Sequence, residues 1–293
     1  MRERVVLLTR LSQQRVLERR YGTMGQVRFA LRESKRGLSD VQRATAEEDA
    51  RSRAVRTIRE SIPPDLRVVE IDREMVAQFL FEKNDLVIAI GQDGLVANVG
   101  KYLEGQPLVG VNPDPAVIDG ALLAFSVETC IAALPAILAD QQPMRQATLA
   151  EATTTDRQLL RGLNEIFVGS PNHQSARYVL HHGGRDELQS SSGLVVATGT
   201  GSSGWLRSMV GDEGAFDPAE DRLEFVVREA WPGRGFGATL LRGEVTKRRP
   251  LQIESRMESG VIFGLSAALH GANPRWAREA MLDHMRDFLR PAA

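Results

Sequence analysis

A single cysteine, Cys130, stands in the 293 residues, which excludes any intramolecular disulfide and points to a reducing compartment. It lies in Glu128-Thr129-Cys130-Ile131-Ala132-Ala133-Leu134, a setting that suits a packed thiol rather than a nucleophile. An excess of charge of one sign is lacking too: 37 Lys+Arg against 38 Asp+Glu leave a formal net charge of −1. That balance argues against nucleic-acid binding as the main work, and Lys247-Arg248-Arg249 reads as solvated surface. No apolar stretch reaches the roughly 20 residues a membrane helix needs, the longest being broken by Glu128 or by prolines. Arg2, Glu3 and Arg4 lead into a strand-like run rather than a signal peptide, so a soluble, cytoplasmic protein is expected. The five histidines form no metal-ligand spacing, and His181-His182 reads as a strand end in solvent. The lysines are Lys35, Lys83, Lys101 and Lys247, and none follows G-x-x-x-x-G, so that form of phosphate loop is absent.

What is present is enough chain for two domains, with 42% hydrophobic residues to fill their cores. Val5 to Leu8, Leu66 to Ile71, Leu86 to Ile90 and Pro107 to Val111 are short apolar runs. Between them lie charged, helix-prone segments at Arg43 to Glu60 and Glu74 to Phe81. Such alternation implies a parallel sheet with crossover helices. From about 144 to 265 the runs become short and alternating, as at Leu163 to Val168, Arg177 to His181, Leu194 to Thr198, Leu223 to Arg228, Leu251 to Ser255 and Val261 to Phe263. Turn residues separate them, which reads as mostly antiparallel. The tail from Pro274 to Leu289 has the spacing of a one-faced helix. The expected fold is therefore α/β: an N-terminal parallel-sheet, Rossmann-like domain over 1–125, completed by a C-terminal helix over 274–293, and a C-terminal β-rich, sandwich-like domain over 126–273.

Two glycine-rich turns follow apolar strands. Leu86 to Ile90 runs into Gly91-Gln92-Asp93-Gly94, and Leu194 to Thr198 runs into Gly199-Thr200-Gly201-Ser202-Ser203-Gly204. Glycine lets several backbone N–H groups converge on an anion, and a helix starting just afterwards adds its positive end. Asp93 conflicts with phosphate unless a cation intervenes or a proton must be removed nearby; its other use is to cap the helix over Leu95 to Leu103. The second turn matches the G-x-G-x-x-G of dinucleotide-binding dehydrogenases. That fingerprint also needs an acid about 20 positions on, at the end of a strand, whereas Asp217, Glu220 and Asp221 sit in a turn before one.

Taken in order, these segments resemble the NAD kinases, which share the glycine-aspartate-glycine turn with diacylglycerol and sphingosine kinases. Gly91-Gln92-Asp93-Gly94 is similar to the family's G-G-D-G, Leu163-Asn164-Glu165 to its L-N-E, and Thr198 to Trp205 to its T-P-T-G-S-T-A-Y. The branch that includes the mitochondrial NAD kinase is nearer, through Gly110-Val111-Asn112-Pro113-Asp114-Pro115, Ser191 to Trp205 and Tyr21-Gly22-Thr23.

The resemblance implies an ATP-dependent phosphotransferase, making NADP from NAD with Mg²⁺ by transfer to the 2′-hydroxyl of the adenosine ribose, and working as a homodimer or larger assembly. It implies that Asp93 acts on that hydroxyl or helps to organise the metal, the sequence naming no other metal ligand. Gly91, Gly94, Thr200, Gly201 and Ser202 would bind ATP phosphates; Asn164, Glu165, Thr198 and Asn112 would bind NAD. Two departures stand out: Gln92 replaces a glycine of G-G-D-G, and Gly199 replaces proline in T-P-T-G. A third is Gly264-Leu265-Ser266, where an acidic turn is expected. The alternative readings are a kinase of this fold acting on a lipid or sugar hydroxyl, and a nucleotide-binding regulator without turnover.

Overall fold

A computed structural model describes residues 2–32, 35–264, 267–271 and 277–289. They divide into two compact units, 1–145 with 287–293, and 146–286.

In the first unit, β1 (Arg4–Thr9) leads through α1 (Gln13–Tyr21), α2 (Met24–Leu31) and the long α3 (Lys35–Ser61) to β2 (Arg67–Asp72). Then come β3 (Asp85–Ile90), α4 (Asp93–Gly100), β4 (Leu108–Asn112), the short β5 (Phe125–Ser126) and α5 (Val127–Leu138). The strands pair in parallel in the order β2-β1-β3-β4-β5, with Val5 beside both Val68 and Leu86, Ile88 beside Val109, and Val111 beside Phe125. Every residue of β3 and β4 is buried, as parallel strands covered by helices require. The core joins Leu7, Leu86, Ile88 and Val109 to Ile58 of α3 and to Cys130, Leu134 and Ile137 of α5. Gly22, at φ +99, closes α1, and Thr23 opens α2 in a capping box with Gln26, so Tyr21-Gly22-Thr23 is a helix-to-helix corner.

The second unit is antiparallel. Its strands are β6 (Met144–Thr154), β7 (Leu159–Gly162), β8 (Glu165–Gly169), β9 (Ala176–His182), β10 (Arg185–Ser191) and β11 (Leu194–Ala197). Helix α6 (Trp205–Val210) follows, then β12 (Leu223–Val227), β13 (Arg242–Val245), β14 (Leu251–Ser255), β15 (Gly260–Gly264), β16 (Ala267–Gly271) and β17 (Ala277–Leu289), whose residues from 287 on belong to the first unit and pair there in parallel with β4. Six form one sheet, β13-β12-β11-β8-β15-β16. Alternate residues of β8, β11 and β12, including Ile166, Val196 and Phe225, meet Tyr178, Leu180, Leu251 and Ile253 of β9 and β14 in a single core, the packing of sheet on sheet.

Three expectations are corrected. Residues 277–289 form a strand, not a helix: Ala280 pairs with Leu251 and Phe288 with Leu108, so backbone pairing overrides the helical spacing. Residues 274–276 and 290–293 lie outside the described residues, as do Leu265 and Ser266 of the altered turn. The division falls at 145/146 rather than 125/126, because α5 buries Cys130, Leu134 and Ile137 in the first core. His182 is buried at 4% exposure, its Nδ1 is 3.2 Å from the Pro250 carbonyl oxygen, and its ring stands edge-on to Phe225. The period of two along β9 sends Ala176, Tyr178, Leu180 and His182 inward together; only His181 reaches solvent, beside Asp186 at 2.8 Å.

Candidate functional site

In the first unit, β3 ends at Ile90 and α4 begins at Asp93, so the Gly91-to-Gly94 turn sits at the carboxyl end of a central parallel strand, where such sheets bind ligands. A cleft of about 510 Å³ opens there, lined by Gln92, Asp93 and Gly94, by Asp114, Val117, Ile118 and Asp119, and by Arg43, Ala46, Glu47 and Ala50 along one face of α3. Sequence reasoning missed the α3 face; the spacing 43, 46, 47, 50 is one helical stripe, but nothing marks it as lining a site.

Gln92, not Asp93, is the N-cap of α4, and it makes no side-chain capping bond. Its φ of −121° is ordinary extended backbone, so a side chain at the glycine position of the motif costs no strain. The Asp93 carboxylate instead accepts the N–H of Ala121 at Oδ2 and the N–H of Leu122 at Oδ1, each at 2.9 Å. Asn112 is similarly engaged: its Nδ2 donates to the Ile118 carbonyl at 2.7 Å, and its Oδ1 accepts the Asp114 N–H at 3.0 Å.

In the second unit, β11 pairs with β8 so that Ala197 faces Glu165, and the Thr198 N–H continues the ladder to the Asn164 carbonyl. This brings Asn164, Glu165, Thr198, Thr200, Gly201 and Ser202 to one corner. The Thr198 hydroxyl bonds the Leu163 and Asn164 carbonyls and accepts the Gly201 N–H at 3.1 Å, knotting the turn. Ser202 Oγ donates to the Gly199 carbonyl at 2.7 Å and accepts the Phe216 N–H, so its hydroxyl is spent on the fold. A Cβ on Gly201 would lie 2.0 Å from the Asn164 carbonyl oxygen, and one on Gly199 would lie 2.2 Å from that of Asp217. The latter contact accounts for glycine where the resembled motif has proline. The helix expected after the turn is only a single 3₁₀ turn, Gly201–Ser203, and the six residues of α6.

Two atoms of this corner are buried with no hydrogen-bond partner, Asn164 Oδ1 and Thr200 Oγ1. Burial also raises the Glu165 carboxyl above the usual carboxylate range. Cys130, by contrast, is fully buried, and burial pushes its thiol up to about 12, so it is inert packing.

Among the described residues no three His, Cys, Asp or Glu side chains are placed to hold a metal ion. Asp93, Asp114 and Asp119 line one cleft, but they are not gathered into a cation site. Among the described residues no helix is long and apolar enough to cross a membrane.

No protein-family model matches the chain, and no curated protein matches it either. Among solved structures it is similar to an NAD kinase from Archaeoglobus fulgidus in complex with ATP, with a TM-score of 0.61 and 14% identity over 98% of this chain and 94% of that one. It is also similar to yeast NADH kinase complexed with NADH, with a TM-score of 0.66 and 12% identity over 99% of this chain and 84% of that one. The chain thus shares the α/β-plus-β-rich fold of these kinases.

Proposed function

We propose that the protein is an NAD kinase that transfers the γ-phosphoryl group of ATP to the 2′-hydroxyl of the adenosine ribose of NAD, giving NADP. The observation that carries this reading is the corner at Asn164, Glu165 and Thr200. A buried polar atom without a partner costs about 1–3 kcal/mol, and this corner keeps two beside a desolvated carboxylate. Nucleotides supply what is missing: an exocyclic amine for Asn164 Oδ1, a ribose hydroxyl for Glu165 and a phosphate oxygen for the Thr200 hydroxyl. The fold shared with an ATP-bound NAD kinase and an NADH-bound NADH kinase supports the same class of ligand.

In this reading Asn164 and Glu165 hold NAD; Thr198 fixes the Asn164 backbone, and Asn112, whose amide is spent on Ile118 and Asp114, acts only by setting its own loop. Of the glycine-turn residues assigned to ATP phosphates, Gly94 in the first unit and Thr200 in the second have N–H groups to offer, whereas the N–H groups of Gly91, Gly201 and Ser202 already bond the Val111 carbonyl, the Thr198 hydroxyl and the Gly199 carbonyl and shape the turns instead. Asp93 orients the acceptor hydroxyl and takes its proton as the phosphoryl group arrives. Among the described residues, Asp93 is the one side chain that could also help to hold a Mg²⁺ brought by the ATP phosphates, which would supply neutralisation of the transferred charge.

The test is direct. The purified protein is incubated with Mg²⁺, ATP and NAD, and NADP is measured with an NADP-specific dehydrogenase. NADP formation is expected. A folded protein that binds both nucleotides without product would be a regulator, and ATP consumption only with a lipid or sugar would move the acceptor elsewhere.

A further inference from the structure

We propose that Gly120, Ala121 and Leu122 are positioning residues that set the orientation of the Asp93 carboxylate, so that the 113–124 loop, and not α4 alone, governs turnover. The proposal rests on Asp93 acting at the acceptor hydroxyl.

Each Asp93 oxygen is held by one backbone N–H, Ala121 on Oδ2 and Leu122 on Oδ1. A carboxylate has about four acceptor sites, so lone pairs remain on both oxygens for a hydroxyl or a hydrated cation. Gly120 leaves the room for this arrangement. A Cβ there would fall 2.3 Å from Asp93 Oδ1 and 2.9 Å from its Cγ, inside the space the carboxylate occupies.

The loop that presents these groups is fixed at both ends. At its start, Asn112 ties Ile118 and Asp114, and the Ile118 N–H bonds the Asp114 carbonyl at 2.9 Å. At its end, the Leu122 carbonyl lies against β4, where a Cβ on Gly110 would come within 2.1 Å of it. The same loop lines the cleft through Asp114, Val117, Ile118 and Asp119. The carboxylate is therefore clamped from the loop side, with the loop itself clamped to the sheet. Asp93→Asn consequently changes two things at once: it removes the charge and turns an amide NH₂ against a backbone N–H. Gly120→Ala separates them, because it leaves the carboxylate in place chemically and displaces it.

Gly120→Ala should lower kcat by about 100-fold, the usual scale for a misplaced catalytic group, while the KM values for NAD and ATP move less than about threefold, since neither nucleotide's own contacts are touched. In the Asp93→Asn background the same change should cost little more, because both act through one carboxylate. Gly120→Ala keeping more than half of kcat, or a loss that multiplies with that of Asp93→Asn, overturns the proposal. Amide hydrogen exchange on the unmutated protein gives a readout independent of folding variants and of turnover. The Ala121 and Leu122 amides should exchange at least about tenfold more slowly than in a free peptide, and free-peptide rates overturn the cradle. If the protein makes no NADP the kinase reading fails, and exchange still decides the cradle.

Discussion

Asn164 exposes a difference between a residue type and its use. An amide at a strand start satisfies a turn in most proteins, yet here its carbonyl serves the turn while Oδ1 is left buried and unpartnered. Asn164→Ala should therefore raise the apparent constant for NAD about tenfold or more, one lost partner being worth about 1–3 kcal/mol and 1.4 kcal/mol a factor of ten. The ATP constant should hold; separate titrations of the two nucleotides check it, and equal losses would mean a purely structural role. Gln92 lies in unstrained backbone at the mouth of the cleft. Gln92→Gly should keep or raise turnover with ATP, and a collapse in a folded variant would make the glutamine a working contact. Asp93→Asn should nearly abolish NADP formation, measured by the same coupled assay.

At the scale of elements, the second glycine turn is a close packing of backbone on backbone. With the Asn164 carbonyl oxygen 2.0 Å from a Cβ at Gly201, Gly201→Ala must push the β11 turn away from the start of β8. Loss of NAD binding together with a lower melting temperature is expected, read by nucleotide titration and thermal unfolding. A different clasp holds the 236–240 segment to β10. Burial works against the charged Glu187 carboxyl, but bonds from Thr239, Gln189 and the Leu240 and Thr239 N–H groups outweigh it and hold it down at about 2. An ordinary glutamate titrates at about 4.3 in the unfolded chain. A depressed folded value stabilises the protein fully above that pH, and the contribution fades as pH falls toward about 2. Glu187→Gln should flatten the acid limb of a stability-against-pH curve over that window.

Across the whole molecule each unit has its own core, and the second rests on Phe225 and Tyr178 between its sheets. Phe225→Ala should cost about 3–5 kcal/mol, seen as a lower midpoint in urea. Cys130 serves as a reporter for the first core. A thiol reagent should label it only on unfolding, and rapid labelling of the native protein would contradict its burial.

The alternation of parallel strands and helices, the antiparallel texture after residue 144 and the two glycine turns are all legible in the residue pattern. These follow from local facts: hydrophobic period, strand length, and the freedom of glycine. The burial of Cys130 was legible for the same reason. The rest depends on contacts between residues far apart in the chain, which no local pattern specifies. The apolar face of 274–289 reads as helix, but pairing of Ala280 and Phe288 with distant strands makes 277–289 extended. His182 is sent inward by the register of β9, which its neighbours in sequence do not specify. The role of Asp93 shows the limit most plainly. Its motif names it, while the groups that hold its carboxylate lie 28 and 29 residues away, at backbone N–H groups that every residue type but proline carries and that no sequence pattern can single out.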